Sequence, residues 1–249
     1  MSLITEIKES IITKWIVLYY TFFFILGSYL LLQLLFTTLQ FLLFNDPEQT
    51  VTIQGFYVVI GEAQYQIWDI AQFHIAIVLS SCIALGLIII TVKLLVKTNP
   101  LHYLGFRSIS NEHHIWFLYS FLVLVAGVVL HEFVISTSDV LITAEKPIEK
   151  FLVVLGLGVF GPIFEECLYR GFLLKRMDDI LKQRQRWITI TATAFLFSVF
   201  HFQYNPVELL YVFSIGMFLA LMRFKTGSLW FPIVFHIVGN LYAILTIIL

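Results

Sequence analysis

Ionisable and amide side chains interrupt three apolar runs in the second half of this chain. Six of them stand in otherwise hydrophobic sequence: Glu165, Glu166 and Arg170 in the first run, His201 in the second, and His236 and Asn240 in the third. A charged side chain inside a membrane helix costs at least about 2.5–3.5 kcal/mol, so such groups face a protein interior and are functional candidates. The three runs are therefore predicted to bring their polar groups to one site.

The two adjacent carboxylates are expected to have different roles. Successive residues on a helix are turned by about 100°, so Glu165 and Glu166 cannot share a face. Glu166 precedes Arg170 by four residues, the favourable order for an ion pair within a helix, which predicts a supporting role for both. Glu165 lacks that partner and is the candidate general base that takes a proton from water. The alternative is a purely structural ion network at a helix end.

His236 and Asn240 are four residues apart, so they lie on one face of a helix and can address a single point. Amide hydrolysis needs a base for the water and donors for the developing negative charge, and His and Asn side chains can be such donors. Glu165, His201 and His236 could instead hold a catalytic Zn²⁺ with one position left for water. Asparagine is an uncommon zinc ligand and no H-E-x-x-H pattern occurs, so the metal stays an open question.

The composition is that of an integral membrane protein. Hydrophobic residues fill 59% of the 249 positions and only 12% are charged, with a mean hydropathy of +0.92, which excludes a soluble domain. A formal net charge of -1 and the lack of a nucleic-acid motif argue against a nucleic-acid partner. Long apolar runs recur along the whole chain, which predicts a single integral membrane domain, 1–249, within a lipid bilayer.

The apolar runs are continuous and do not alternate, which predicts helices rather than barrel strands. The expected fold class is all-α: a polytopic transmembrane bundle of about seven helices, with six to eight as the range. Residues 51–70 fit either a strand pair or an interfacial helix. The predicted helix ends place His201 about 10 Å from the depth of Glu165 and His236. The helices are expected at 15–44, 73–96, 114–135, 151–174, 187–204, 207–222 and 229–249.

The distribution of basic residues predicts the orientation. Basic residues in short loops stay on the cytoplasmic side. With the N-terminus inside, only Lys146 and Lys150 fall outside, whereas the inner segments hold Lys8, Lys14, Lys93, Lys97, Arg107, Lys175, Arg176, Lys182, Arg184, Arg186, Arg223 and Lys225. We therefore expect a multi-pass protein of the cell membrane with a cytoplasmic N-terminus.

Three short motifs resemble those of the CAAX-protease and bacteriocin-processing family, also called the Abi or CPBP family. Its patterns EExxxR, FxxxH and HxxxN stand here, in the family's order, as Glu165 to Arg170, Phe197 to His201, and His236 to Asn240. Each pattern alone is weak, but together they are specific. The resemblance covers about residues 147–249, which are interpreted as the catalytic core, and leaves 1–146 as N-terminal membrane helices.

The resemblance implies a glutamate-dependent or metal-dependent intramembrane endopeptidase. Glu165 would activate water with help from His201, while His236 and Asn240 would position that water or stabilise the oxyanion. Phe197, with Glu166 and Arg170, would support the site. The implied substrate is a membrane-associated peptide or protein, prenylated or not, with CAAX-type, bacteriocin and signal-peptide maturation equally compatible. The implied cofactor is Zn²⁺ or none.

Two other functions remain as alternatives at this stage. The first is a non-catalytic membrane immunity or scaffold protein that binds a peptide partner through the same pocket. The second is a transporter, but the internal repeats or paired broken helices expected of one are not found. Glu165→Gln distinguishes an endopeptidase from a scaffold, since an enzyme should lose turnover and a scaffold should keep its phenotype.

Overall fold

A computed structural model of the protein describes residues 11–44, 51–54, 57–60, 63–66, 71–108, 114–135, 146–181 and 183–248. The helices follow one another along the chain, so the predicted all-α, polytopic bundle is confirmed. Their bounds are α1 Ile11–Phe44, α2 Ala71–Thr91, α3 Pro100–Leu104, α4 His114–Ile135, α5 Pro147–Val153, α6 Gly161–Glu166, α7 Leu174–Ile180, α8 Arg186–Val199, α9 Pro206–Thr226 and α10 Trp230–Ile248.

Three short strands connect α1 to α2. They are β1 (Val51–Gln54), β2 (Tyr57–Ile60) and β3 (Ala63–Gln66). The strands form an antiparallel sheet in the order β1-β2-β3, with Val51 opposite Ile60 and Tyr57 opposite Gln66. Of the two interpretations of residues 51–70, the structure therefore has strands, three rather than a pair.

The helix that carries the paired glutamates is longer than predicted. Short π-helical turns at Val154–Phe160 and Cys167–Leu173 join α5, α6 and α7 into one apolar span, Pro147–Ile180, of 34 residues. The first π turn lies just before Pro162, which has no N–H to donate and whose ring would crowd the carbonyl four residues back. Gly161 instead donates to Gly156, five residues back, so the helix absorbs the proline without ending.

The predicted end of this helix at residue 174 was wrong, because charged side chains continue it. Lys175 pairs with Asp179, and the Tyr103 hydroxyl donates to the same carboxylate at 3.3 Å. Long basic side chains can keep their stems against apolar surface while their charges find partners or solvent. The helix therefore reaches Ile180.

The helix after it, α8, is shorter than predicted. It ends at Val199 after 14 residues, about 21 Å at the usual rise, instead of continuing to residue 204. A tight turn follows, in which His201 N–H donates to the Ser198 carbonyl and Tyr204 N–H donates to that of His201. Asn205 then caps α9, accepting from the amides of its first turn. His201 consequently lies in a turn and not within a helix.

Among the described residues, four helical spans are long and apolar enough to cross a membrane, and α8 and α10 are shorter apolar helices. Large apolar side chains cover the outside of the bundle, as with Tyr20 at 76% and Leu31 at 66% exposure. A surface of this kind suits contact with lipid. The chain is a multi-pass membrane protein.

Candidate active site

Glu166 and Arg170 form an ion pair in the interior of the bundle. Arg170 Nη1 donates to Glu166 Oε1 at 2.8 Å, and both side chains are buried, at 1% and 0% exposure. Arg170 Nη2 also donates to the Gly216 carbonyl of α9 at 3.2 Å. The pair predicted from the spacing of four residues thus forms, and it joins the glutamate helix to α9.

His236 of α10 lies between the two carboxylates. Its Nδ1 is 2.8 Å from Glu166 Oε1, and its Nε2 is 3.8 Å from Glu165 Oε2. A carboxylate can only accept here, so Nδ1 carries the hydrogen and Nε2 is the ring atom that faces Glu165. Glu166 therefore orients His236 as well as pairing with Arg170.

The gap between His236 and Glu165 is suited to a small reactant. A separation of 3.8 Å is beyond direct hydrogen-bond distance, yet one oxygen atom could contact Nε2 and the carboxylate together. The Glu165 side chain is 24% exposed, whereas that of Glu166 is fully buried. The two adjacent glutamates therefore stand in different surroundings, as their placement on different helix faces predicted.

His201 reaches the same site from the turn after α8. Its Nδ1 is 2.7 Å from the Phe197 carbonyl, so Nδ1 donates there and Nε2 remains an acceptor. Glu165, His236 and Arg170 all lie within electrostatic range of its ring. The 10 Å difference in depth expected from the sequence was therefore wrong.

The Phe197 ring packs against His201, His236 and Arg170. Its ring centroid lies 4.6 Å from that of His201 and 5.9 Å from that of His236. The Arg170 guanidinium carbon lies 4.3 Å from the same centroid, a distance at which a cation is attracted to a ring face. The supporting role predicted for Phe197 has a structural basis in these contacts.

Asn240 is held one turn away from His236. Its Nδ2 donates to the Leu157 carbonyl at 2.8 Å, in the first π turn of the glutamate helix. One amide hydrogen is therefore used to fasten α10 to that turn, and the second is left for another acceptor. The predicted role in positioning water or an oxyanion depends on that second hydrogen.

Sequence comparison shows that the segment carrying this site is similar to a known family. Residues 147–242 match the family described as type II CAAX prenyl endopeptidase Rce1-like, which includes all three motifs. The segment is similar to that family. The chain is also 30% identical over 98 residues to an uncharacterized 24.3 kDa protein of Escherichia coli. The match covers 37% of this chain and 43% of the relative, so it spans less than half of the relative's length. No solved structure matches the chain.

Two tyrosines also pack beside the candidate site, and the sequence motifs missed both. Tyr204 stacks on His201 with the ring planes 13° apart and the centroids 5.9 Å apart. Tyr29, from α1, stacks on Phe164 at 4.0 Å. Both hydroxyls lie within electrostatic range of the Glu165 carboxylate. Tyr204 could have been noticed as an aromatic residue three positions after a motif histidine, whereas no local signal marks Tyr29.

Proposed function

We propose that the protein is an intramembrane endopeptidase that hydrolyses a peptide bond with a water molecule activated by Glu165. The observation that carries the proposal is the position of His236, oriented by Glu166 at 2.8 Å with its other nitrogen 3.8 Å from Glu165. The Rce1-like description of residues 147–242 supports the same reaction class. A partly exposed carboxylate faced by oriented imidazoles, away from bulk water, is what general-base hydrolysis requires.

Glu165 would take one proton from the attacking water. The water oxygen then forms a bond to the carbonyl carbon of the substrate, and the carbonyl oxygen becomes negatively charged. When the carbon–nitrogen bond breaks, the proton held by Glu165 passes to the leaving nitrogen. The products are a carboxylic acid and an amine, and the carboxylate is regenerated.

The other residues would position the reactants. Glu165 takes one hydrogen of the water, and the other can be accepted by either His201 Nε2 or His236 Nε2, because both rings donate through Nδ1. The second amide hydrogen of Asn240 is the candidate donor for the developing oxyanion, a contribution worth about 2.7–4 kcal/mol when such a donor is removed from other enzymes. Glu166, Arg170 and Phe197 hold these groups in place without touching the substrate.

The zinc alternative fits the described residues less well. No three His, Cys, Asp or Glu side chains are grouped to hold one metal ion in the part of the chain that the structure describes. If Zn²⁺ does bind, Glu165, His201 and His236 are the residues that would supply its ligands, and the ion would polarise the water. Activation of the water by Glu165 needs only the chain's own residues, and the response of turnover to a chelator tests for a metal.

The substrate would be a membrane-associated peptide or protein, since the site lies within the bundle. The family description points to a prenylated CAAX protein, while bacteriocin and signal-peptide processing would use the same chemistry. The basic loops favour a cytoplasmic N-terminus in the cell membrane. Glu165 would then be about 22 Å from the cytoplasmic end of its helix at Ile180, by the usual helical rise.

The test is turnover of a labelled peptide by purified protein in lipid, for the wild type, Glu165→Gln and His201→Ala. General-base catalysis contributes about 10²–10⁴-fold, so Glu165→Gln should lower kcat by at least about 100-fold while the protein stays folded and inserted. Glu149→Gln is the matched control and should keep full activity, because Glu149 is a partly exposed glutamate that pairs with the exposed Lys146 and is not among the site residues.

Two results would reject parts of this proposal. If Glu165→Gln keeps the cellular phenotype and no peptide is cleaved by the wild type, the protein is a binding scaffold or immunity factor. If a chelator abolishes turnover and Zn²⁺ restores it, the water is activated by a metal instead of by the carboxylate alone.

A further inference from the structure

Several buried polar atoms between α1 and α2 are unpartnered. Thr37 Oγ1, Ser81 Oγ and both ring nitrogens of His74 make no hydrogen bond of ordinary geometry within the described chain, and all three side chains are 0% exposed. Buried polar groups in proteins are almost always satisfied, by protein or by ordered water. Leaving one unpaired costs roughly 1–3 kcal/mol. These atoms therefore call for partners.

The polar residues form two matching rows. Tyr29, Gln33 and Thr37 stand at intervals of four on α1, so they share a helix face, and all are buried. His74 and Ser81 stand seven apart on α2, which also places them on one face. The Tyr29 hydroxyl lies beside Ser81 and Gln33. Because α1 and α2 are antiparallel neighbours, Thr37 then lies level with His74.

One end of the two rows reaches the candidate active site. Tyr29 stacks on Phe164, the residue before Glu165, with the ring centroids 4.0 Å apart. The Tyr29 hydroxyl lies within electrostatic range of the Glu165 carboxylate. The second oxygen of Glu166, Oε2, is also buried and unpartnered within the described part of the chain. The rows thus end at the paired glutamates.

The other end lies near the start of α2. His74 is in the first turn of α2, which begins at Ala71, and its backbone passes so close to Gly156 that a Cβ there would lie 2.8 Å from the His74 carbonyl. Gly156 precedes Glu165 by nine residues and Tyr29 precedes Thr37 by eight, which is about 13.5 Å and about 12 Å at the usual helical rise. The two independent counts agree on the length of the polar region.

We propose that Tyr29, Gln33, Thr37, His74 and Ser81 line a water path, hereafter the α1/α2 water path, which carries water from the start of α2 to Glu165. The inference rests on the proposed function, because hydrolysis consumes one water for each peptide bond and hydrocarbon supplies none. Water can bridge buried polar groups that the protein leaves unpaired, typically with about three hydrogen bonds each. In a membrane protein such groups mark a water-filled interior.

The first test measures access of water to the path and does not depend on catalysis. A thiol reacts as the thiolate, which requires water around it. Single cysteines are introduced as Ser81→Cys or Thr37→Cys in a background without Cys82 and Cys167. The protein is placed in proteoliposomes and exposed to Ag⁺, and the remaining thiols are counted after denaturation.

The chain offers matched lipid-facing controls. Native Cys82 follows Ser81 directly but is exposed on the outside of the bundle, and Leu39, close to Thr37, is 44% exposed. The Ser81→Cys and Thr37→Cys thiols should react at least about ten times faster than native Cys82 or a Leu39→Cys thiol, because only the former contact water. Equal or slower reaction would overturn the path, even if the protein proves to be a protease.

The second test asks whether the path supplies the reaction. Ser81→Ala and Thr37→Val should lower kcat about 3- to 10-fold with KM unchanged, because water delivery and not substrate binding is impaired. Ser80→Ala is the control, since the Ser80 hydroxyl is already bonded to the Ile77 carbonyl of its own helix. Ag⁺ labelling in the Glu165→Gln background separates the two hypotheses, because the path should stay wet there although turnover is lost. A wet path with unchanged kcat in both variants would overturn its role in supply.

Discussion

Replacing Glu166 with glutamine should destabilise the protein far more than replacing a partly exposed glutamate. The change keeps the shape of the side chain but removes the charge that Arg170 faces at 2.8 Å. Arg170 is 1% exposed, and its remaining hydrogen bond goes to the neutral Gly216 carbonyl. Breaking one side of a buried ion pair costs about 3–5 kcal/mol, because the other charge is left uncompensated. Glutamine can still accept a hydrogen bond, so we expect a value near about 3 kcal/mol.

The free energy of unfolding of the detergent-solubilised protein measures this loss, and a double variant checks its cause. Glu166→Gln with Arg170→Gln leaves no buried charge, so the combined loss should be smaller than the sum of the two single losses by about 1–3 kcal/mol. Glu149→Gln is the control, since its partner Lys146 is exposed and 3.8 Å away, and should cost less than about 1 kcal/mol. A loss at Glu166→Gln no larger than that of the control, or single losses that simply add, would show that the buried ion pair does not stabilise the fold.

Two further predictions concern the packing of Gly105 against Arg223 and the ring of Phe197 in the candidate site. Gly105→Ala should destabilise more than Gly227→Ala in the same unfolding assay. Both glycines have positive φ, a strain of about 1–2 kcal/mol for alanine. At Gly105 the new Cβ would also lie 2.1 Å from an Arg223 nitrogen, so the guanidinium would have to move away from the Leu104 carbonyl to which it donates, whereas nothing lies within 4 Å at Gly227. Equal losses would contradict this packing. Phe197→Leu should lower both stability and kcat, because it removes the ring that packs against Arg170 and His201. The contact of the ring with the Arg170 cation is worth up to about 2 kcal/mol when desolvated. A wild-type kcat in the folded variant would show that the ring is not needed.

Local spacing made part of the site predictable from the sequence. Glu166 and Arg170 meet because residues four apart are neighbours on any helix, and the same rule put His236 and Asn240 on one face. The apolar runs fixed the fold class, since lipid admits few other structures for such sequence. What local spacing could not supply was the contact of His236 with Glu166, which are 70 residues apart and meet only because of where their helices end.

The helix ends explain why the predicted depths were wrong. The turn between α7 and α8 joins Ile180 to Arg186, and Glu165 and His201 are each fifteen residues from it, about 22 Å along either arm. The predicted ends at 174 and 187 made these arms unequal. The charged residues after 174 resemble a loop, and only their pairing with Asp179 and Tyr103 shows that the helix continues.

Two helical segments of similar length bring His236 to the depth of Glu165. A Cβ at Gly171 would lie 3.3 Å from a Leu229 methyl group, so the start of α10 is level with Gly171. Glu165 is six residues from Gly171 and His236 is seven from Leu229, about 9 and 10.5 Å. Because α10 starts inside the bundle, at the same level as the second π turn, its histidine meets the glutamates instead of passing them. An inserted or deleted residue in either arm would turn and shift the reacting group, so the lengths of these helices are part of the active-site geometry.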